Sequence, residues 1–194
     1  MAEEKKKHER LVTPVGIAKW AHVNKPKEGY KKNDKPKYQI DVVFHPDDPE
    51  WRAWAGGLMD KVKALPVQKD ENTGETAKHK SPIKRELDED DKPTGRFFVT
   101  FKTGEQYKPG VFDKAGEPMV DVLIGNGSKV RVNYSPAEYD GFGGGITLYL
   151  NAVQVVELVE YKKQTAEAYG FPVEAKSTSM LGQPPPPPED DLPF

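Results

Sequence analysis

The sequence predicts a mainly β fold, a small antiparallel barrel carrying one amphipathic helix. Three observations lead there. Five or six short segments alternate apolar and polar residues, the period of a half-buried strand. One segment, 45–65, instead repeats its apolar residues at helical spacing. The two kinds of segment do not alternate in a βαβ rhythm, which argues against a parallel sheet. The 194 residues suffice for one core with appendages. With 36% hydrophobic and 31% charged residues, that core is modest and the segments around it are polar.

Residues 1–10 read as a charged arm ahead of a domain spanning 11–161. "LVTPVGIAKW" (11–20) reads as a first strand, and "AHVNKPKEGYKKNDKP" (21–36) as a lysine-rich loop full of turn residues. "KYQIDVVF" (37–44) puts Tyr38, Ile40, Val42 and Phe44 on one face. In "HPDDPEWRAWAGGLMDKVKAL" (45–65), Asp47 or Asp48 caps a helix that Pro49 opens and Glu50 favours. Trp51, Trp54, Leu58 and Val62 form its apolar face, so both tryptophans are expected in the core. Residues 67–94 lack periodicity and read as an insertion: flexible, a functional flap, or hiding a short helix near "SPIKRELDE".

"GRFFVTFK" (95–102) sets Phe97, Val99 and Phe101 against Arg96, Phe98, Thr100 and Lys102. "GVFDKAGEPMVDVLIG" has the shape of a hairpin turning at Lys114–Gly116. "SKVRVNY" sets Val130, Val132 and Tyr134 against Lys129, Arg131 and Asn133. In "GGGITLYLNAVQVVELVEY" (143–161), Ile146, Leu148 and Leu150 share one parity and Val153 and Val155 the other. A β-bulge near Asn151–Ala152 repairs that switch. Residues 162–194 read as a disordered linker with an acidic tip. The count and order of elements fit an OB-fold barrel with a helix between early strands, and a β-sandwich also accommodates them.

Several chemistries drop out. There are no cysteines, hence no disulfides, thiolate metal sites or cysteine nucleophiles, which fits a cytoplasmic protein. No apolar run approaches the roughly 18 residues of a membrane helix, and "MAEEKKKHER" lacks the apolar region of a secretory signal. His8, His22, His45 and His79 have no partner at metal-ligand spacing, so no metal or other cofactor is expected. "DGFGGGI" feeds a strand and lacks the Lys-Ser or Lys-Thr of a phosphate loop. It reads as a hairpin turn with an exposed Phe142. "ELDEDD" (86–91) fits a solvated charge run better than a two-metal nuclease site.

The net charge of −2 conceals an asymmetry. Between Lys5 and Lys37 stand eleven lysines or arginines against three acidic residues, whereas 86–91 and the C-terminal tip are acidic. The outward strand positions interleave aromatics with cations: Arg96, Phe98 and Lys102 on one strand, Lys129 and Arg131 on another, Tyr149 on the last. Trp20 lies on the first strand, sharing a face with Gly16 and Ala18. The loop adds Tyr30, Lys31, Lys32 and Lys37. Single-stranded nucleic acid takes this mixture, because cations follow phosphates while aromatic faces accept unpaired bases. A solvated sheet with ordinary surface aromatics would give the same pattern.

The chain closes with "PPPPPEDDLPF". Five prolines hold an extended rod, and its tip offers Phe194 beside carboxylates. "EDDLPF" closely resembles the acidic C-terminal tip of bacterial single-stranded-DNA-binding proteins. The body is more similar to the single-stranded-DNA-binding proteins of tailed phages, in "TPVGIAKWAHVNKPKEGY", "KYQIDVVF" and "IGNGSKVRVNYSPAEYDGFGGGITLYLNAVQVVELVEY". The resemblance implies an OB fold, a non-enzymatic protein that coats single strands with possible self-association on DNA, and action in the infected bacterial cell. It further implies recruitment of polymerase, helicase, primase or nuclease by Asp190, Asp191, Leu192, Pro193 and Phe194. A protein-interaction adaptor, a metal-dependent nuclease and an RNA-binding barrel are the rival readings.

Overall fold

Strand β3 (Lys37–Phe44) shows how alternation builds the barrel: Tyr38, Ile40, Val42 and Phe44 are all buried. The computed structural model describes residues 9–29, 34–69, 76–77, 79–140 and 143–161. Residues 1–8 of the arm and the whole of 162–194 lie outside them. Around β3 the chain runs through β1 (Leu11–Val12), β2 (Gly16–Lys27), α1 (Pro49–Lys63), β4 (Gln68–Lys69), β5 (Thr76–Ala77), β6 (Ile83–Leu87), β7 (Pro93–Gly104), β8 (Gly110–Phe112), β9 (Lys129–Tyr139) and β10 (Gly145–Glu157).

Five strands close a ring: β2 pairs with β3, β3 with β7, β7 with β10, β10 with β9, and β9 with β2. All these pairings are antiparallel except β7–β10. In chain order the ring reads first, second, third, fifth, fourth, the Greek-key closure of an OB-fold barrel. β6 and β8 attach to β7 and β10, and β1 to β9. The interior is filled by Ile40, Val42, Val99, Phe101, Val130, Val132, Leu148 and Val153, each no more than 2% exposed.

The helix packs onto this core with its aromatic face. Asp48 caps it by accepting from the Glu50 and Trp51 amides. Trp51 stacks on Phe44 with centroids 4.4 Å apart, and Trp54 meets Tyr134 edge-on. The Trp54 Nε1–H donates to the Tyr134 hydroxyl at 3.0 Å. Burial pushes that phenol up to about 12 despite this bond. The expected core role of both tryptophans holds.

The bulge expected near Asn151–Ala152 is present: the β9–β10 register shifts between Leu150 and Ala152. Ile146, Leu148 and Leu150 before it and Val153 and Val155 after it are all buried. The 110–119 hairpin also forms, with Gly116 donating to the Asp113 carbonyl at a positive φ of 89°. The β9–β10 hairpin closes over the glycine cluster, pairing Tyr139 with Gly145, while Phe142 lies outside the described residues.

Three local expectations change. The first strand is broken at Thr13–Val15, where Thr13 exchanges bonds with Val132. The supposed loop after residue 20 is instead strand as far as Lys27, because β3 and the 120–127 segment supply partners that local composition does not reveal. Within 67–94, "SPIKRELDE" contains strand β6 rather than a short helix, since the exposed edge of β7 satisfies its backbone.

Gly16 is required by space. A Cβ there would collide with Val42 Cγ1 and lie 2.6 Å from the Phe44 ring. Gly16→Ala is therefore expected to destabilise the barrel by about 1–3 kcal/mol, as measured by chemical denaturation. A wild-type midpoint would show that this seam yields.

Candidate nucleic-acid interface

The ring's one parallel seam brings Lys102 on β7 directly beside Tyr149 on β10. Alternation turns both outward, because Phe101, Leu148 and Leu150 beside them point into the core. Across the sheet the same row continues through Gln39 to His22 on one side and to Ser135 on the other. Tyr149 keeps 46% of its surface exposed. Burial, then the charges of Lys37 and Lys84, hold the Lys102 ammonium below the usual lysine range. An anion seated there would relieve that repulsion. His22 is likewise depressed, by burial and then by Lys27, with Asp41 opposing. It therefore carries little charge at neutral pH.

Grooves adjoin this pair on both sides. One, of about 620 Å³, is lined by Lys84, Lys102, Thr100 and Thr147. The next, of about 1380 Å³, is lined by Tyr149, Asn151, Tyr107, Lys108 and Arg10. A third shares Arg10 and Asn151 with it and reaches Arg131. Together they make a band over the outer surface, with cations at intervals and two exposed tyrosines between. Asn151, at the bulge, donates to Asn133 Oδ1 and Ser135 Oγ at 3.0 Å and so fixes the middle of the band.

The candidate residues divide. Lys102, Arg131 and Tyr149 line the band. Lys37 faces Gly104, which lines its middle groove. Phe98 is half-buried, with Lys84 Nζ 5.7 Å from its ring centroid. Lys129 stands apart, ion-paired at 2.6 Å to Glu157, whose carboxyl that bond depresses. Arg96 is tied to Glu86. Tyr30, Lys31, Lys32 and the tip residues Asp190, Asp191, Leu192, Pro193 and Phe194 lie outside the described residues.

Trp20 is 63% exposed, yet the parity argument for it fails. Gly16 and Ala18, which share its parity, are buried. A register shift between Lys19 and His22, with Trp20 at φ 51°, turns the indole out instead. The Asn126 side chain accepts from the Trp20 amide at 2.9 Å and holds this rare conformation.

Sequence reasoning missed Arg10, Lys84, Tyr107 and Lys108. Adjacent Tyr107 and Lys108 in "GEQYKPG" are the aromatic-plus-cation pairing sought elsewhere, but on a turn rather than a strand. Lys84 needed β6 to be recognised as a strand.

The expectation of a solvated 86–91 run also changes, because Glu86 is 5% exposed. Its Oε1 pairs with Lys19 Nζ. Its Oε2 takes Arg96 Nε at 2.7 Å and the Thr94 hydroxyl at 2.8 Å. Burial alone would raise this carboxyl. The bonds from Lys19 and Thr94 and the two positive charges outweigh it and leave the pKa below the usual glutamate value. Among the described residues no cluster of three or more His, Cys, Asp or Glu side chains is arranged to hold a metal.

No family model and no curated protein sequence matches the chain. Solved structures do. The gp2.5 single-stranded DNA binding protein encoded by bacteriophage T7 superposes with a TM-score of 0.59 at 21% identity, covering 87% of this chain and 97% of that one. The single-stranded DNA-binding protein from bacteriophage Enc34, in complex with single-stranded DNA, gives 0.54 at 19% identity, covering 79% and 89%. At these identities the likeness is one of fold.

The lowered pKa of Glu86 makes its contribution acid-labile. It is present above the ordinary carboxylate range and lost as pH falls through the folded-state value. Glu86→Gln is expected to cost about 1–2 kcal/mol at neutral pH. In denaturation curves from pH 7 to 3, the gap to wild type should close toward the acid end. A gap constant with pH would remove the ionised carboxylate from the account.

Proposed function

We propose that this chain is a non-enzymatic single-stranded DNA-binding protein with little sequence preference. It would coat exposed strands during phage DNA replication and recombination, in the cytoplasm of the infected bacterial cell. The observation that carries this reading is the Lys102–Tyr149 pairing within a grooved, cation-spaced band. Phosphate contacts and base stacking read no base edges, so the band favours single strands of any sequence. The fold likeness to two phage proteins whose names declare single-stranded DNA binding supports the same reading. By its resemblance the tip, Asp190–Phe194, would recruit replication or repair enzymes.

Fluorescence anisotropy of a labelled dT oligomer tests the proposal. Full-length protein should bind, weaken steeply with salt and prefer the single strand to duplex. Tyr149→Ala should cost about 1–3 kcal/mol of affinity if one base stacks there. Lys102→Gln should make log Kd against log salt shallower by about 0.7. Removing 184–194 should leave DNA affinity intact or higher while abolishing pull-down of polymerase or helicase. No binding by the wild type, or equal affinity for duplex, would turn attention to the adaptor reading.

A further inference from the structure

Lys19 and Arg96 come from β2 and β7, with β3 between them in the sheet, yet both bind one carboxylate. Glu86 cannot readily exchange them for another partner. It is 5% exposed, and a buried carboxylate stripped of its cations is strongly destabilised. The two cations are differently placed, with side chains 37% and 39% exposed. Arg96 binds Glu86 through Nε, which leaves the outer fork of its guanidinium, and Lys19 has further ammonium donors. Two positive charges around one negative leave the triad net positive. Its surroundings are mixed: Lys84 stands over Phe98, two residues along β7 from Arg96, and exposed Trp20 follows Lys19, while Asp41 lies opposite Lys19 in the β2–β3 register and the acidic residues 88–91 follow Glu86.

We propose that Lys19 and Arg96 form a phosphate seat at the β6 side of the barrel, with Glu86 as the positioning residue that holds the two cations ready for one phosphodiester. The inference rests on the single-stranded DNA reading above and extends the DNA path past Lys84, beyond the grooved band. A seat of this kind gains affinity because its side chains are ordered before DNA arrives. The carboxylate also relieves repulsion between the two cations in the absence of DNA.

The test is dT-oligomer anisotropy across a salt series with full-length wild type, Lys19→Gln, Arg96→Gln and Glu86→Gln, each checked by thermal melting. Lys19→Gln and Arg96→Gln should each make the salt slope shallower by about 0.7, a change that lost stability alone would not produce. Glu86→Gln should weaken binding by about threefold or more with the slope retained, although it removes a negative charge. Tighter binding by Glu86→Gln would overturn the positioning role and make Glu86 a competitor of DNA. Wild-type slopes in both cation variants would overturn the seat while leaving the band intact. If Glu86→Gln does not fold, the Lys19 and Arg96 variants, whose side chains are partly exposed, decide the seat. A wild type that binds no DNA would overturn both this seat and the function it rests on.

Discussion

The change of parity in β10 is the constraint on which the barrel depends. This strand pairs with β9 along its length while meeting β7 near Tyr149 and β8 near Val153. A regular strand would bury one half of its apolar residues and expose the other. The extra residue at Asn151 turns both halves inward. It also sets a polar side chain between Asn133 and Ser135, where the outer grooves meet. One irregularity thus completes the core and shapes the surface opposite it.

Positive charge on that surface is divided between two uses. Lys129 is held by Glu157, and Lys61 on the helix by Glu9. Lys19 and Arg96 converge on buried Glu86, near the apolar row of Ile17, Val43 and Phe98 on the outer face. Val43 is 2% exposed despite its outward parity, so this end of the sheet carries its own small cover. Further along, Lys84 and Lys102 face an open groove, and burial first, then the charges of Lys37 and Lys84, depress the Lys102 ammonium. Like charges gathered in this way raise the local positive potential.

The aromatic groups follow the same division. Trp51 and Trp54 are consumed in packing, stacked or edge-on against Phe44 and Tyr134. Trp20, Tyr107 and Tyr149 are presented outward from a strained strand position, a turn and a regular strand respectively. Because the helix covers the core with its own aromatics, the outer band is left to the strands. The chain therefore separates aromatic residues that hold the barrel together from those exposed on its surface.

Much of this was legible in the residues themselves. The alternation of β3, β7 and β9, the helix with its Asp48 cap, the bulge at Asn151 and the outward turn of Lys102 and Tyr149 all follow from side-chain period and cap chemistry, which are local. Strand β6 and the extension of β2 to Lys27 were not legible, because a polar segment becomes strand only when the strand beside it accepts its hydrogen bonds, and polar composition does not announce that pairing. The exposure of Trp20 follows not from its parity with Gly16 and Ala18, which are buried, but from the β2 register shift between Lys19 and His22, and nothing local announces a positive φ at tryptophan. Glu86 looked like part of a solvated acidic run. Its burial depends on Lys19 and Arg96, 67 and 10 positions away in sequence, arriving from other strands. Sequence by itself determined which faces are apolar and which carry charge, because period is a property of neighbours along the chain. Tertiary structure decided which charges neutralise one another and which stay open to solvent, because that depends on strand register across the sheet.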